Sequence, residues 1–124
     1  MREVQSALAS LMPAIPVQAG IWQPTAEHQK APNQYIVYST TTTESRHADN
    51  GCIEEHTFVY MNLWSQTDPS VTAQRVRTLM RAANFAMEEE SDKGYNQPAY
   101  DYKTRGFTVQ WTWVYRRCYD ANTV

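Results

Sequence analysis

The chain has 124 residues, a formal net charge of -2, 42% hydrophobic residues and 19% charged residues. This length suits one domain with a modest core, and the composition is that of a folded chain rather than a disordered one. The small negative charge gives no general attraction to nucleic acid or acidic membranes, and no apolar run is long enough to span a bilayer. Polar residues interrupt the first twelve positions, so we expect no signal peptide and assembly in a cytosol.

The N-terminal third predicts a short helix, an extended piece and a strand. Apolar residues at helical spacing predict the helix, and two prolines end it. Residues 17–22 predict a short extended piece, and the polar, proline-containing residues 23–33 predict a loop. Residues 34–40 are rich in aromatic and β-branched side chains and predict a strand. The helix positions are Val4, Leu8, Leu11 and Met12.

The following segment predicts a β-hairpin with a polar tip. Residues 35–43 and 52–64 alternate in the manner of antiparallel strands, and Asn50-Gly51 is a strong turn dipeptide because both residues tolerate positive φ. The tip, residues 41–51, has no candidate core residue, so we expect it to be exposed.

The second strand of this hairpin feeds a helix, and the chain is organised around this unit. Ile53, Val59, Met61 and Leu63 share one face of the strand, whereas Phe58, Tyr60 and Trp64 share the other. Asp68 or Thr67 can cap the helix, with Pro69 at its first position. The apolar stripe of the helix predicts that it lies back on the sheet. Its members are Val76, Leu79, Met80, Ala83 and Met87.

The C-terminal part predicts a second hairpin. Glutamates at 88–90 oppose the helix dipole and predict a frayed end, with Gly94 as a stop. Residues 99–103 and 107–116 predict two strands, followed by a polar tail from about residue 118. The large residues of the last strand predict a core face, and they are Phe107, Val109, Trp111, Trp113 and Tyr115. The predicted order is α-β-β-β-α-β-β, an α+β fold with helices on one face of a largely antiparallel sheet.

The cysteines predict neither a disulfide scaffold nor a structural zinc site. The chain has two, Cys52 and Cys118, each near the end of a predicted strand. In a reducing compartment the favoured interpretation is a pair of free thiols, although a bridge between them stays open.

No pattern in the sequence predicts a catalytic centre. His28 and His47 fall in predicted loops, while His56 shares a strand face with Glu54. A metal cluster of His47, Asp49 and His56 is conceivable, but it lacks a short fixed spacing, so solvated residues are the favoured interpretation. Glu54 and Glu55 point to opposite faces, neither cysteine has a recognisable histidine partner, and no glycine-rich phosphate loop is present.

Surface positions are the better candidates for function. Phe58, Tyr60 and Trp64 form either an interface or a second core layer, and the sequence leaves both interpretations open. Arg77 and Arg81, at i and i+4 on the helix, make a small basic stripe or ordinary surface charge. The predicted role is therefore contact with other proteins, with no cofactor.

The order of elements resembles a tail-completion, or tail-terminator, family of long-tailed phages and prophages. The resemblance runs from about Val4 to Arg116. A short N-terminal helix precedes an "x-P-x-Y-I/V-V" strand, here Pro32-Asn33-Gln34-Tyr35-Ile36-Val37. An alternating strand that ends in an aromatic residue follows, here residues 58–64, and then a helix and a terminal hairpin.

The resemblance implies a structural, non-enzymatic minor tail protein in the virion. Its subunits would form a closed ring, commonly six-fold, at the head-proximal end of the tail tube, which ends tube polymerisation and joins tail to head. The implied partners are copies of itself, the tail-tube protein and a head-connector protein, without a membrane or a specific nucleic-acid sequence. Ring contacts would come from sheet edges and the second sheet face, and residues 23–33 and 41–51 would order against a neighbouring ring. The candidate interface residues are His47, Asp49, Phe58, Tyr60, Trp64, Arg77 and Arg81.

Two alternatives stay open at this point. The chain could be a head–tail joining or connector protein of the same particle. It could also be a small α+β enzyme or ligand-binding domain, with a pocket between helix and sheet that is lined by His56 and tyrosines.

Overall fold

The computed structural model describes residues 2–12, 14–21, 33–47, 52–88, 99–102 and 105–120. The elements in chain order are helix α1 (Arg2–Ala7) with a 3-10 turn (Ala9–Leu11), β1 (Val17–Ala19), β2 (Gln34–His47), β3 (Cys52–Ser65), α2 (Ser70–Ala82), β4 (Ala86–Met87), β5 (Ala99–Asp101) and β6 (Gly106–Asp120). The predicted α+β class and element order are confirmed, with the two-residue β4 as an addition. No helix in the described ranges is long and apolar enough to cross a membrane.

The sheet has six strands in the order β1-β2-β3-β6-β4, with β5 also paired to β6. All pairs are antiparallel except β1 with β2. The three long strands pair one-to-one without a bulge, from Gln34 opposite Ser65 to His47 opposite Cys52, and from Cys52 opposite Asp120 to Ser65 opposite Phe107. This register keeps the odd-numbered residues of β3 and β6 on one face and the even-numbered residues on the other.

Both helices pack on the odd-numbered face of β3 and β6. Val76 and Met80 of α2 and Val4 and Leu8 of α1 are fully buried in one cluster with this face. The predicted strand faces are therefore confirmed. The buried sheet residues of this cluster are Ile36, Tyr38, Val59, Met61, Leu63, Val109, Trp111 and Trp113.

Polar bonds fix how α2 starts. Asp68 accepts hydrogen bonds from the Ser70 backbone N–H at 3.0 Å and from its hydroxyl at 2.6 Å. These two bonds hold the pKa of Asp68 below its usual value. Deeper in the fold, the Thr72 hydroxyl donates to Gln34 and the Gln34 amide donates to Ser65, which ties the start of α2 to β2 and β3.

The end of α2 differs from the prediction. The helix stops at Ala82, and Asn84 adopts a left-handed conformation with φ of 70°. Asparagine tolerates this conformation better than most residues, so it can end a helix much as glycine does. Met87 therefore lies in β4 rather than on the helix, and Gly94, the predicted stop, lies outside the described residues.

The long strands extend further than the sequence suggested. β2 continues to His47, so residues 44–47 of the predicted polar tip belong to the strand as well as the predicted residues 35–43. β6 continues to Asp120, so the predicted polar tail begins inside a strand. Cross-strand pairing supplied by β3 stabilises these polar extensions, although their composition alone does not predict strands.

The two core tryptophans provide a test of the sheet faces. Trp111 is 3% exposed, and its indole N–H has no hydrogen-bond acceptor among the described residues. We expect Trp111→Ala to lower the free energy of unfolding by about 3–5 kcal/mol, because it leaves a large cavity. Trp111→Phe should cost much less, because it keeps most of the ring and loses no hydrogen bond.

Denaturant unfolding of both variants and of Gln110→Ala measures these costs. Gln110 is an exposed neighbour on the opposite face, so its truncation should have little effect. Equal costs for Trp111→Ala and Gln110→Ala would mean that the faces are assigned the wrong way round.

Candidate interface

The even-numbered face of β3, here called the outer face, has no helix packed against it in the described structure. It consists of Phe58, Tyr60 and Trp64 of β3 together with neighbours from β2 and β6. Phe58 and Trp64 are half-buried, whereas Tyr60 is 44% exposed. Since both helices pack on the other side, partial burial here comes from neighbouring strands. Among the described residues, the outer face is therefore a large aromatic surface on a sheet whose helices cover the other side.

One end of the outer face carries an aromatic stack. Tyr35 lies opposite Trp64 in the β2–β3 ladder, and their rings stack with centroids 5.2 Å apart and planes at 25°. Burial raises the pKa of the Tyr35 hydroxyl above its usual value. The stack presents two rigid rings that lose little side-chain conformational entropy when a partner binds, which is a common property of interface anchors.

Gly106 makes room for this stack. A Cβ atom at Gly106 would lie 2.8 Å from Cε2 and Cζ2 of Trp64 and 2.9 Å from the Ser65 carbonyl oxygen. These distances are shorter than van der Waals contact, so any larger residue would push the Trp64 ring away from the sheet. The position of Trp64 thus depends on the absence of a side chain at the start of β6.

A polar cup lies beside the exposed Tyr60. Tyr60 is opposite Thr112, and Asn62 is opposite Gln110, so four polar side chains meet on the outer face, on the two rungs that flank the Met61–Trp111 pair of the β3–β6 ladder. They border a cavity of about 190 Å³ together with Met61 and Trp111. Metabolite pockets are usually larger, about 300–1,000 Å³. The cup has room for one or two side chains of a partner protein, and it offers amide and hydroxyl groups to bind them.

Beyond the helices the three long strands continue as a polar arm, which comprises residues 39–47 of β2, 52–58 of β3 and 114–120 of β6. Arg117 lies opposite Glu55 and pairs with it at 3.4 Å. On the outer face His56 pairs with Glu54. On the opposite face the Thr42 and Thr57 hydroxyls share a hydrogen bond of 3.1 Å. The arm is held together by its ladders and by these polar contacts.

The exposed surface of α2 lies on the other side of the sheet. Arg81 is exposed and Arg77 is half-buried, one helical turn apart. A separate groove of about 310 Å³ runs along this helix. Its lining residues are Val71, Gln74, Arg75, Thr78 and Leu79.

The structure brings together only three of the seven predicted interface residues. Phe58, Tyr60 and Trp64 share the outer face, as expected. Arg77 and Arg81 lie on α2, across the sheet from them. His47 ends β2 eight residues beyond Ser39, the partner of Tyr60, which is about 26 Å along the strand. Asp49 lies outside the described residues.

Sequence reasoning missed Tyr35, Asn62 and Gln110 as members of this surface. Tyr35 was placed only in a strand, because alternation within one strand does not show which residue lies opposite on the next. Asn62 and Gln110 are individually ordinary. Counting the cross-strand register back from the hairpin turn could have found them. That count fails here because the strands extend further into the turn region than predicted.

The conceivable metal cluster gains no support from the geometry. His56 lies opposite Thr43, four residues from His47, so the two histidine backbones are separated by about 13 Å along the strands. Among the described residues no three metal-binding side chains come together. His56 instead has Glu54 as its partner.

The prediction of free thiols is wrong. Cys118 is disulfide-bonded, and no described cysteine is free. Cys52 is the only other cysteine in the chain, and the ladder places the two on adjacent strands, with Cys118 opposite Glu54 and Cys52 opposite Asp120. The sequence alone could not reveal this proximity, because 65 residues lie between Cys52 and Cys118.

No protein-family model matches this chain, and no curated protein matches its sequence.

The contact between Gly106 and Trp64 can be tested directly. We expect Gly106→Ala to lower the free energy of unfolding by about 1–3 kcal/mol, because the new methyl group displaces the Trp64 ring or the strand. The near-UV circular dichroism of the aromatic stack should weaken in parallel. An unchanged spectrum together with unchanged stability would show that Trp64 does not cover Gly106.

Proposed function

We propose that this chain is a structural phage tail protein that forms a ring with copies of itself at the head-proximal end of the tail tube. In this role it ends tube polymerisation and joins the tail to the head, with the tail-tube protein and a head connector as its other partners. It acts by binding and catalyses no reaction. The resemblance of its elements to the tail-completion family gives the proposal its biological setting.

The observation that carries the proposal is the outer face. A sheet with one helix-covered side and one aromatic, partly exposed side favours a second protein on the free side. Tyrosine and tryptophan are enriched at interfaces because they combine a large apolar body with a polar group. The stacked Tyr35–Trp64 pair, the exposed Tyr60 and the adjacent polar cup have this mixed character.

The polar arm is a second supporting feature. Its three strands are 14, 14 and 15 residues long, which corresponds to about 46 Å or more, whereas the 13-residue α2 spans only about 20 Å. The helices therefore cannot cover the full length of the sheet. Among its described side chains only Ile53, Thr57 and Val114 are buried, and an extension of this kind is easier to explain as a contact with other subunits.

A charge placed on the outer face should block assembly without unfolding the chain. We expect Tyr60→Glu to abolish incorporation into tails, because it buries an unpaired carboxylate in the contact. Its melting temperature should stay close to that of the parent, since Tyr60 is exposed in the single chain. The matched control is Val71→Glu, which introduces the same charge at a position 75% exposed on α2, across the sheet.

Incorporation is measured by immunoblotting of purified particles. Normal incorporation of Tyr60→Glu, or equal loss for both variants, would contradict the assignment of the outer face as the contact surface.

Electron microscopy of particles assembled without the chain tests the role itself. Overlong tails are the expected result for a subunit that ends tube polymerisation. Finished tails of normal length beside separate heads would assign the joining role alone. Normal, infectious particles would contradict both.

A further inference from the structure

The disulfide of Cys118 lies at the far end of the arm, away from the core. In the described part of β6 the buried cluster reaches Trp113, and Tyr115 packs against it. Cys118 lies about 17 Å beyond Trp113 along the strand. Cys52, the only other cysteine in the chain, is the first residue of β3. The disulfide therefore connects the outermost rungs of the β3–β6 ladder rather than its helix-covered half.

Cys118 is accessible to a dissolved thiol. It is exposed and, as an even-numbered residue of β6, belongs to the outer face. Arg116 is exposed on the same face, and its positive charge attracts an anionic thiol such as glutathione. Glu54, directly opposite Cys118, is paired with His56. Exposed disulfides of this kind are the ones that are commonly labile or regulatory, because a thiol reaches them without unfolding the protein.

The register places the two cysteines diagonally rather than directly opposite each other. Cys118 lies opposite Glu54, whereas Cys52 lies opposite Asp120. Diagonal Cα atoms in a regular ladder are about 7–8 Å apart, and disulfides usually join Cα atoms that are about 4.4–6.8 Å apart. A bond across this diagonal holds the two strand ends closer than the ladder alone would, and its cleavage lets them separate.

One hydrogen-bonded rung lies between the two cysteine positions. The Thr112 carbonyl accepts from the Glu88 N–H, so even-numbered residues of β6 direct their backbone groups away from β3 and odd-numbered residues bond to it. Ile53 and Tyr119 are therefore a hydrogen-bonded pair. The Ile53 side chain is only 6% exposed, although it lies next to Cys52 at the start of β3. Opening the disulfide loosens this rung and the packing of Ile53.

We propose that the Cys118 disulfide is a redox-controlled clamp on the end of the arm. When it is closed, it fixes the outermost rungs of the β3–β6 ladder. When it is reduced, these rungs open while the helix-covered half stays folded. One part of the proposal rests on the proposed function: copies meet in a reducing cytosol with open clamps, and the clamps close once the particle reaches an oxidising medium.

Opening the clamp consumes two molecules of a small thiol of the glutathione class. The thiolate of the first attacks the sulfur of Cys118, and the electron pair of the protein S–S bond passes to the partner sulfur, which takes up a proton. The second thiolate displaces Cys118 from the mixed disulfide, and the Cys118 sulfur is protonated in turn. Two small thiols are thereby oxidised to one disulfide, and they supply both protons. Oxidised glutathione closes the clamp by the reverse reaction.

Titration of the full-length chain with mixtures of reduced and oxidised glutathione, without denaturant, tests whether the clamp opens in the folded protein. After acid quenching, alkylation with iodoacetamide and mass spectrometry count the free thiols. We expect no alkylated cysteine in oxidised buffer and two in reduced buffer. The near-UV circular dichroism of Trp111 and Trp113 should persist in both. A bond that opens only in denaturant, or a tryptophan signal that disappears on reduction, would overturn the proposal.

Amide hydrogen exchange distinguishes a clamp from a general cross-link. A cross-link that acts only on the unfolded chain changes the protection of all globally exchanging amides by the same factor. A clamp adds local opening, so reduction should lower the protection of Ile53 about tenfold more than that of Val59, which pairs with Trp113 in the core. In Cys118→Ser, Ile53 should exchange at the reduced rate in both buffers. Equal losses at Ile53 and Val59 would contradict the clamp.

Thiol trapping tests the part that concerns assembly. Producing cells are quenched with acid and alkylated at once, and purified particles are treated in the same way. We expect two alkylated cysteines in the chain from cells and none in the chain from particles. A bond already closed in cells, or thiols still open in particles, would overturn the assembly step, whereas absence of the chain from particles would contradict the proposed function itself. The titration decides the clamp in either case.

Discussion

The structure depends on the unbroken pairing of β2, β3 and β6. Because no residue is inserted in either ladder, the side-chain alternation that starts in the core persists to the far end of the arm. The same register decides which side chains meet the helices, which form the outer face, and which backbone groups point away from β3. A slip by one residue would exchange the two faces and expose Trp111 and Trp113 while burying Asn62 and Gln110.

The mismatch between strand length and helix length divides the sheet into two regions. Where α1 and α2 pack, fully buried Val59, Leu63 and Trp113 provide the apolar burial that stabilises the fold. Beyond the helices, threonines and charged pairs replace most of the apolar residues, although Ile53 is still only 6% exposed. There the strands gain ladder bonds, polar contacts and the disulfide of Cys118. The helix-covered half supplies most of the apolar burial, and the arm and the outer face are where the proposed contacts with other chains lie.

Much of the fold could be predicted because apolar periodicity is a local property. Val76 and Met80 at helical spacing and Trp111 and Trp113 in alternation each identified a buried face. The far part of the arm could not be predicted in this way, since residues 44–47 and 117–120 are strands only because β3 pairs with them. Tyr35 against Trp64, Gly106 beneath Trp64 and the bridged Cys118 depend on residues far apart in sequence. Patterns within one strand do not encode such pairings. The end of α2 could not be predicted either, because it depends on the left-handed conformation of Asn84, which composition does not specify.

Residue-resolved amide hydrogen exchange of the isolated chain tests the central claim most directly, which is that the arm is a regular sheet with a β2 edge that no described strand covers beyond Tyr38. Thr41 and Thr43 direct their N–H groups to β3, whereas Thr40 and Thr42 direct theirs outward. Exchange measured by nuclear magnetic resonance should therefore alternate, slow at Thr41 and Thr43 and fast at Thr40 and Thr42. Uniformly fast exchange would mean that the arm does not form, and uniformly slow exchange in the monomer would mean that its edge is covered.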